Sequence, residues 1–286
     1  MFKRRTSGSV VCPSCGSLVG VRDDKCYTCG RVNPGLWGFA PLLRQFGNDL
    51  GFVPLVIGGS AGLYLLTLLA SGRDLELNGG GLSFLAPSRS ALQLFGMTGA
   101  LPVFVLGAWW TLLSASWLHG NLLHILFNMM WVRQLGPATA EIVGPSRTVI
   151  IYTIAGVTGF FLSSAAGYLF VGLPIPILHG APFTLGASAS IFGLLGALVH
   201  YGHKSGSSLI RGQAMSYAIT LFVFGLIMPG IDNYAHAGGF LGGYAASAFM
   251  NPLTRERGDH LLAAAVCLAA TLLAIVFSVA RGFRLV

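Results

Sequence analysis

Seven apolar stretches, each close to the length of a membrane-spanning helix, constrain the fold of this 286-residue chain more than any other feature. A helix needs about 20 apolar residues to cross the hydrocarbon core of a bilayer. Only 9% of the residues are charged, against roughly 25% in a typical soluble domain. The sequence therefore predicts an all-α polytopic membrane protein. The predicted spans are 51–70, 119–136, 148–171, 185–202, 213–230, 234–250 and 261–280.

The positions of Lys and Arg predict how these spans are oriented. Seven of the 17 Lys and Arg residues precede the first span, and Arg147, Lys204, Arg211, Arg255 and Arg257 would share their side of the membrane. Because basic residues accumulate on the cytoplasmic side, we expect the N-terminus inside and the C-terminus outside. The net charge of +8 then reflects topology, and no nucleic-acid partner is expected. The first span follows a charged region and is not expected to be a cleavable signal peptide.

The external connection at 71–118 is unusually long. A connection of this length usually has structure of its own. Its apolar content predicts a segment that lies partly in the membrane interface.

Residues 1–35 form a separate unit that contains four of the five cysteines. Cys12 and Cys15 form one CxxC pair, Cys26 and Cys29 form another, and each pair is followed by a glycine that permits a tight turn around sulfur. This spacing is typical of a structural Zn²⁺ site. Two disulfides or a redox pair are the alternatives, although a cytoplasmic location argues against stable disulfides. A unit this short needs the metal for most of its stability, and the sequence does not indicate its partner. Residues 36–50 are a linker.

Ser188 and His236 are lone polar residues that open the fourth and sixth spans. Ser188 lies 15 residues before His203, and His236 lies 15 residues before Asn251, which in each case is about 22 Å along a helix. The two side chains should therefore lie at similar depth below the outer surface, and they can meet if the two helices are neighbours. Small residues on both helices permit such close packing; they are Gly193, Gly196, Ala197, Gly238, Gly239, Gly242 and Gly243.

This pair suggests a catalytic dyad, in which the serine oxygen is the nucleophile and the imidazole is the general base. The alternative is that Ser188 bonds its own backbone and His236 bonds a loop carbonyl. Spacing alone does not decide between Ser188 and Ser190. Asp232 is the one candidate for a third carboxylate, and its position in the external loop favours a dyad over a triad.

The second span adds polar groups at the same level. His124 and Asn128 lie four residues apart and share a helix face, whereas His119 belongs to the loop above. Hydrogen-bond donors at this height are what a developing oxyanion requires. The alternative is that these polar groups bond to each other across helices.

From about residue 50 to 250 the chain resembles the rhomboid intramembrane serine proteases. The matching elements are Trp110; His119, His124 and Asn128; Gly136 and Glu141; Gly186-Ala187-Ser188 through Ile191-Phe192-Gly193; and Ala235-His236 followed by Gly238, Gly239 and Gly243. The resemblance implies a six-helix catalytic core at 51–250, with a seventh helix and tail appended at 251–286.

The resemblance also assigns roles by position. It implies that Ser188 rather than Ser190 is the nucleophile and that His236 is the base. His124, Asn128 and the backbone amide of Ser188 would form the oxyanion hole. The supporting residues would be His119, Gly186, Gly239 and Phe192, whose ring would pack against the imidazole.

Three positions depart from the family pattern. The residue after the serine is Ala189 where glycine is usual, and Thr111 follows Trp110 where arginine is usual. The second change removes a cation that would anchor the long loop. Glu141 comes one residue later than the usual spacing after Gly136-Pro137, which would alter the turn after the second span. None of the three touches the dyad.

The resemblance implies a serine endopeptidase in the cell membrane that cleaves transmembrane segments of other proteins near their external or periplasmic end. Catalysis would need no cofactor, and its partners would be these substrates and the lipid bilayer. One rival is a rhomboid-like protein that binds membrane helices without cutting them, and the intact dyad and oxyanion residues argue against it. The other is a transporter or channel, which predicts buried charges, but no Asp, Glu, Lys or Arg occurs between 148 and 203.

Overall fold

A computed structural model describes residues 4–12, 16–41, 49–76, 84–172 and 179–282. Within these ranges the chain folds into seven long helices, one for each predicted span, so the all-α polytopic architecture is confirmed. The helices are α1 (Phe52–Ser71), α2 (Leu122–Val143), α3 (Pro145–Leu169), α4 (Ser188–Ser205), α5 (Ser208–Ile227), α6 (Asn233–Met250) and α7 (Gly258–Gly282).

Four of the described helices are long and apolar enough, by length and composition, to cross a membrane: α1, α3, α5 and α7. The other three, α2, α4 and α6, carry the polar residues singled out in the sequence. Helix α4 shows how such a helix is accommodated, because 13 of its 18 residues are buried by neighbouring helices. A helix screened from lipid by protein need not be apolar throughout.

Helices α4 and α6 pack closely, as their small residues predict. Gly243 lies against the backbone of Gly193, and Gly239 lies against Ala189, so closely that a Cβ on either glycine would overlap a carbonyl oxygen. Helix α3 joins them through the Thr158 hydroxyl, which donates to the Gly238 carbonyl over 3.0 Å. Helix α4 is therefore the centre of the bundle, in contact with α2, α3, α5 and α6.

In its described part, the connection between α1 and α2 contains two short α-helices, Arg89–Leu94 and Thr111–Ser114, and it is anchored on α7. The Trp110 indole N–H donates to Ser278 Oγ over 2.8 Å, and its ring packs edge-on against Phe277. The Arg281 guanidinium lies 5.1 Å from the centre of the same ring. The cation that is missing at Thr111 therefore has a counterpart on the seventh helix.

The N-terminal unit contains an antiparallel pair of strands, β1 (Ser9–Val11) and β2 (Leu18–Gly20), with Val10 opposite Val19. Its core extends past residue 35 to include Leu36 and Ala40. The unit contacts the connection between α6 and α7, where Arg255 Nη1 donates to the Thr28 carbonyl over 2.6 Å.

Candidate active site

The three helices that carry the predicted site all begin at it. The Asn121 side chain caps α2 by accepting the His124 amide over 2.7 Å. Asp232 caps α6 by accepting the Ala235 amide over 3.0 Å. Helix α4 begins at Ser188 without a side-chain cap. The first backbone amides of an uncapped helix have no partner within the helix, so they can bind a ligand.

Ser188 and Ser190 lie in different surroundings. Ser188 is half-buried, and among the described residues its hydroxyl has no hydrogen-bond partner. Ser190 is fully buried and donates to Ser116 Oγ over 3.3 Å. Ser190 is therefore engaged in packing between helices, whereas the described residues leave the Ser188 hydroxyl without a hydrogen bond.

His236 lies beside the beginning of α4 and is only 5% exposed. Its ring stacks on Phe192, with centroids 4.2 Å apart and planes 14° from parallel. Phe192 is one turn below Ser188, and Gly239, one turn after His236, touches Ala189. These two contacts bring the beginnings of α4 and α6 together and place the imidazole next to the serine turn.

No hydrogen bond joins Ser188 to His236 in the part of the chain that the structure describes. Catalytic hydrogen bonds are often long in the absence of substrate and tighten in the substrate complex. What the fold shows is the packing of the His236 ring on Phe192, one turn below Ser188.

Asn233 is a contact of the imidazole that the sequence analysis missed. Its Oδ1 lies 3.1 Å from Nδ1 of His236. The signal in the sequence was the three-residue spacing, which places both side chains on one face of α6.

Within the described part of the chain, no hydrogen bond joins Asp232 to the imidazole. One carboxylate oxygen accepts the Ala235 amide, and the other accepts the Ser163 hydroxyl over 2.6 Å. The carboxylate therefore fixes the start of α6 to α3.

His124 faces the segment that leads into Ser188. Gly186 has a φ of +123°, and a Cβ at this glycine would lie 2.6 Å from His124 Nε2. On the other side of the ring, Nδ1 accepts the Gly120 amide over 3.4 Å. A neutral imidazole that accepts at Nδ1 carries its hydrogen on Nε2, so the donor points toward the serine turn.

Asn128 and His119 complete the polar group on α2 and the loop before it. Asn128 is buried, and its amide nitrogen donates to the His124 carbonyl over 2.8 Å. An amide group has two N–H donors, so the second remains for a ligand. His119 is fully buried and packs edge-on against the His124 ring, with centroids 5.2 Å apart.

Three of the four predicted metal ligands lie together in the N-terminal unit. The sulfur atoms of Cys12, Cys26 and Cys29 lie within 4.8 Å of one another, and those of Cys12 and Cys29 are 3.7 Å apart. Two thiolates bound to tetrahedral Zn²⁺ at about 2.3 Å would be separated by roughly 3.8 Å, so the cluster fits this ion. Cys15 lies outside the described residues.

Comparison with known proteins gives one family. The Rhomboid domain model matches residues 106–253, which include α2 to α6. Rhomboid protease GluP of Bacillus subtilis (strain 168) is 31% identical over 199 residues, covering 68% of this chain and 36% of GluP. RHOMBOID-like protein 4 of Arabidopsis thaliana is 32% identical over 164 residues, covering 56% of this chain and 39% of that protein.

A further relative, putative rhomboid protease YdcA of Bacillus subtilis (strain 168), is 30% identical over 155 residues, covering 53% of this chain and 71% of YdcA. The chain spans 36% to 49% of the length of the first three curated relatives it matches.

Proposed function

The chain belongs to the rhomboid family, and from this premise we propose that it is an intramembrane serine endopeptidase that cleaves transmembrane segments of other proteins. The observation that carries the proposal is the junction of α4 and α6. There, the imidazole of His236 stacks on Phe192, one turn below Ser188, whose hydroxyl has no hydrogen-bond partner among the described residues. A nucleophile and a base held at one level by two closely packed helices are the minimum for acyl transfer.

The proposed reaction begins when Ser188 Oγ attacks the scissile carbonyl carbon and His236 Nε2 takes the hydroxyl proton. The resulting oxyanion accepts hydrogen bonds from His124 Nε2, the second N–H of Asn128 and the backbone amide of Ser188. The imidazolium then gives its proton to the leaving amine, and an acyl-enzyme remains. A water molecule, deprotonated by His236, attacks the ester, and the product acid leaves as Ser188 regains its proton.

The place of the site in the bundle supports a substrate that enters from the lipid. Of the described long helices beside the site, α5 is the least buried, with 3 of its 20 residues buried. In our proposal, α5 and the following loop, Met228 to Asp232, move aside to admit a substrate helix. Ser188 and His236 begin their helices, so water reaches them from the outer surface, which for an N-terminus in the cytoplasm is the external or periplasmic side.

The predicted Zn²⁺ has no part in this reaction. Its candidate ligands belong to the N-terminal unit, which contacts the bundle at the connection between α6 and α7. His236 lies near the other end of α6. In the proposal the metal supplies folding energy to that unit alone.

The proposal is tested with purified protein and a panel of single-span substrate proteins, with products identified by mass spectrometry. Ser188→Ala should abolish cleavage and labelling by a fluorophosphonate probe, while the fold and the zinc content stay as in wild type. Ser190→Ala is the matched control, because it removes a neighbouring hydroxyl that bonds Ser116, and it should keep its activity. Cleavage that persists in Ser188→Ala would overturn the proposal, and binding without cleavage by wild type would favour the non-cutting alternative.

A further inference from the structure

We propose that Asn233 is a positioning residue for catalysis, whose side-chain carbonyl holds the Nδ1–H of His236 so that Nε2 faces Ser188. This inference rests on the proposed protease function, because it presupposes that Ser188 and His236 are the reacting pair. Its basis is the 3.1 Å contact between Asn233 Oδ1 and His236 Nδ1.

The chemistry of this contact selects one tautomer. A side-chain amide oxygen can only accept a hydrogen bond, so the imidazole must carry its hydrogen on Nδ1. The second nitrogen, Nε2, then has a free lone pair and can act as the base. Without the contact, the two neutral tautomers would compete, and only one of them can take the proton of Ser188.

The hydrogen bond to Asn233 also fixes which of two coplanar orientations the imidazole ring adopts, which stacking on Phe192 alone does not fix. Phe192 fixes the plane of the imidazole at 14° from its own ring, but a half-turn of the imidazole about its Cβ–Cγ bond leaves that plane unchanged. Such a turn would exchange Nδ1 for a carbon and direct Nε2 away from its original position. The hydrogen bond to Asn233 opposes this turn, so stacking and hydrogen bonding together define a single ring orientation.

An amide suits this position better than a carboxylate would. The adjacent carboxylate, Asp232, already accepts hydrogen bonds from the Ala235 amide and the Ser163 hydroxyl. The contact with the imidazole is therefore made by Asn233 instead. A second carboxylate close to the bilayer would have to be desolvated, which is costly for a charge. Asn233 orients the ring without introducing that charge.

The Asn233 side chain packs against Gly225 of helix α5. A Cβ at Gly225 would overlap Asn233 Oδ1 and would lie 2.9 Å from Ile231 Cγ2. Gly225→Ala should therefore displace the amide while keeping its chemistry, which gives a second and independent way to disturb the contact.

The test compares Asn233→Ala, Asn233→Asp and Gly225→Ala with wild type, using kcat, KM, the rate of fluorophosphonate labelling and the pH–rate profile. Asn233→Ala should lower kcat and the labelling rate by about 10- to 100-fold, which is part of the effect of a general base, and should leave KM unchanged. Asn233→Asp should restore much of kcat, because a carboxylate oxygen also accepts the Nδ1 hydrogen. The added negative charge favours the imidazolium, so the acidic limb of the profile should move to higher pH.

Ser163→Ala is the structural control, because it removes a partly buried hydrogen bond to Asp232 at the same helix start and leaves the Asn233–His236 contact in place. It should lower the melting temperature and leave the pH profile in place. A folded Asn233→Ala with wild-type kcat, or one no more impaired than Ser163→Ala, would refute the inference. If Asn233→Ala does not fold, Gly225→Ala decides: a loss of kcat at constant KM supports the positioning role, and wild-type kinetics overturns it. If wild type is neither labelled nor active, it is the proposed function that fails.

Discussion

At the residue scale, the packing around Ala189 explains how this chain accommodates an alanine after Ser188, the proposed nucleophile, where glycine is usual in the family pattern. Ala189 is fully buried, and its methyl group fits because the facing positions on α3 and α6 are glycines. A Cβ at Gly159 would lie 2.9 Å from the Ala189 methyl, and one at Gly239 would overlap the Ala189 carbonyl oxygen. The space that a glycine at 189 would provide is supplied by its neighbours.

This arrangement predicts that Gly239→Ala destabilises the protein. The added methyl must displace backbone in a closely packed helix pair, at a cost of about 1–3 kcal/mol, and the shift would separate α6 from the serine turn. We expect a lower melting temperature in detergent and slower fluorophosphonate labelling. Gly58→Ala is the matched control, since a Cβ there meets nothing within 4 Å; it should be neutral or stabilising, by about 0.5–1 kcal/mol. Equal effects of the two substitutions would contradict this account.

At the element scale, α7 clamps the long connection between α1 and α2. Three side chains of this helix meet Trp110: Ser278 accepts its indole hydrogen, Phe277 packs against its ring, and Arg281 places a cation 5.1 Å from the ring centre. The seventh helix therefore supplies the cation that the family pattern places on an arginine directly after Trp110. Thr111 instead donates to the Ala108 carbonyl within its own turn.

Arg281→Met should loosen this clamp. The substitution keeps an unbranched side chain but removes the cation, and a cation–π contact of this kind contributes about 0.5–1 kcal/mol. We expect a correspondingly lower melting temperature and more rapid proteolysis within residues 84–110. The control is Arg257→Met at the other end of α7, where the ion pair with Asp259 is exposed to solvent and exposed pairs contribute little. A melting temperature for Arg281→Met equal to that of the control would show that the aromatic contacts suffice.

These examples show where inference from sequence ends. Depth along a helix could be counted from the chain, so the common level of Ser188 and His236 was predictable, and so was the close packing of α4 and α6 from their small residues. The contact of Asn233 with the imidazole depends on side-chain rotamers at a helix start, which spacing permits but does not select. The contact between Trp110 and Arg281 joins two elements that are far apart in the sequence. Only the three-dimensional packing brings them together.

At the scale of the whole molecule, a series of hydrogen bonds links the N-terminal unit to the bundle. Arg255 donates to the carbonyl of Thr28, which lies between Cys26 and Cys29. The buried Arg147 guanidinium holds the same connection through the carbonyls of Thr254, at 2.7 Å, and Arg255, at 3.0 Å. The turn that would hold the metal is thereby fixed to the segment that joins α6 to α7.

Glu256 extends this link to the start of α3. Its carboxylate accepts the Arg147 amide over 2.8 Å and the Ser146 hydroxyl over 3.2 Å, and a negative charge at a helix N-terminus is favourable. Burial raises the pKa of the Glu256 carboxyl, and the hydrogen bond from the Arg147 amide opposes the rise. The α6–α7 connection is therefore held on one side by the N-terminal unit and on the other by α3.

This link predicts that docking and metal binding can be separated. Arg255→Ala should leave the cysteines and hence the metal content intact, but it removes the bond to Thr28, so trypsin should cut more rapidly at Arg22, Lys25 and Arg31. A chelator should produce the same cuts in wild type by unfolding the metal turns, with loss of zinc by mass spectrometry. In both cases fluorophosphonate labelling should persist, because the helices around the dyad have their own core. Arg257→Ala is the control, because Arg257 lies two residues further along the chain and pairs with Asp259; trypsin should cut this variant at the wild-type rate. Full protection of Arg255→Ala would show that Leu261, packed against the core of the N-terminal unit, holds that unit without the hydrogen bond.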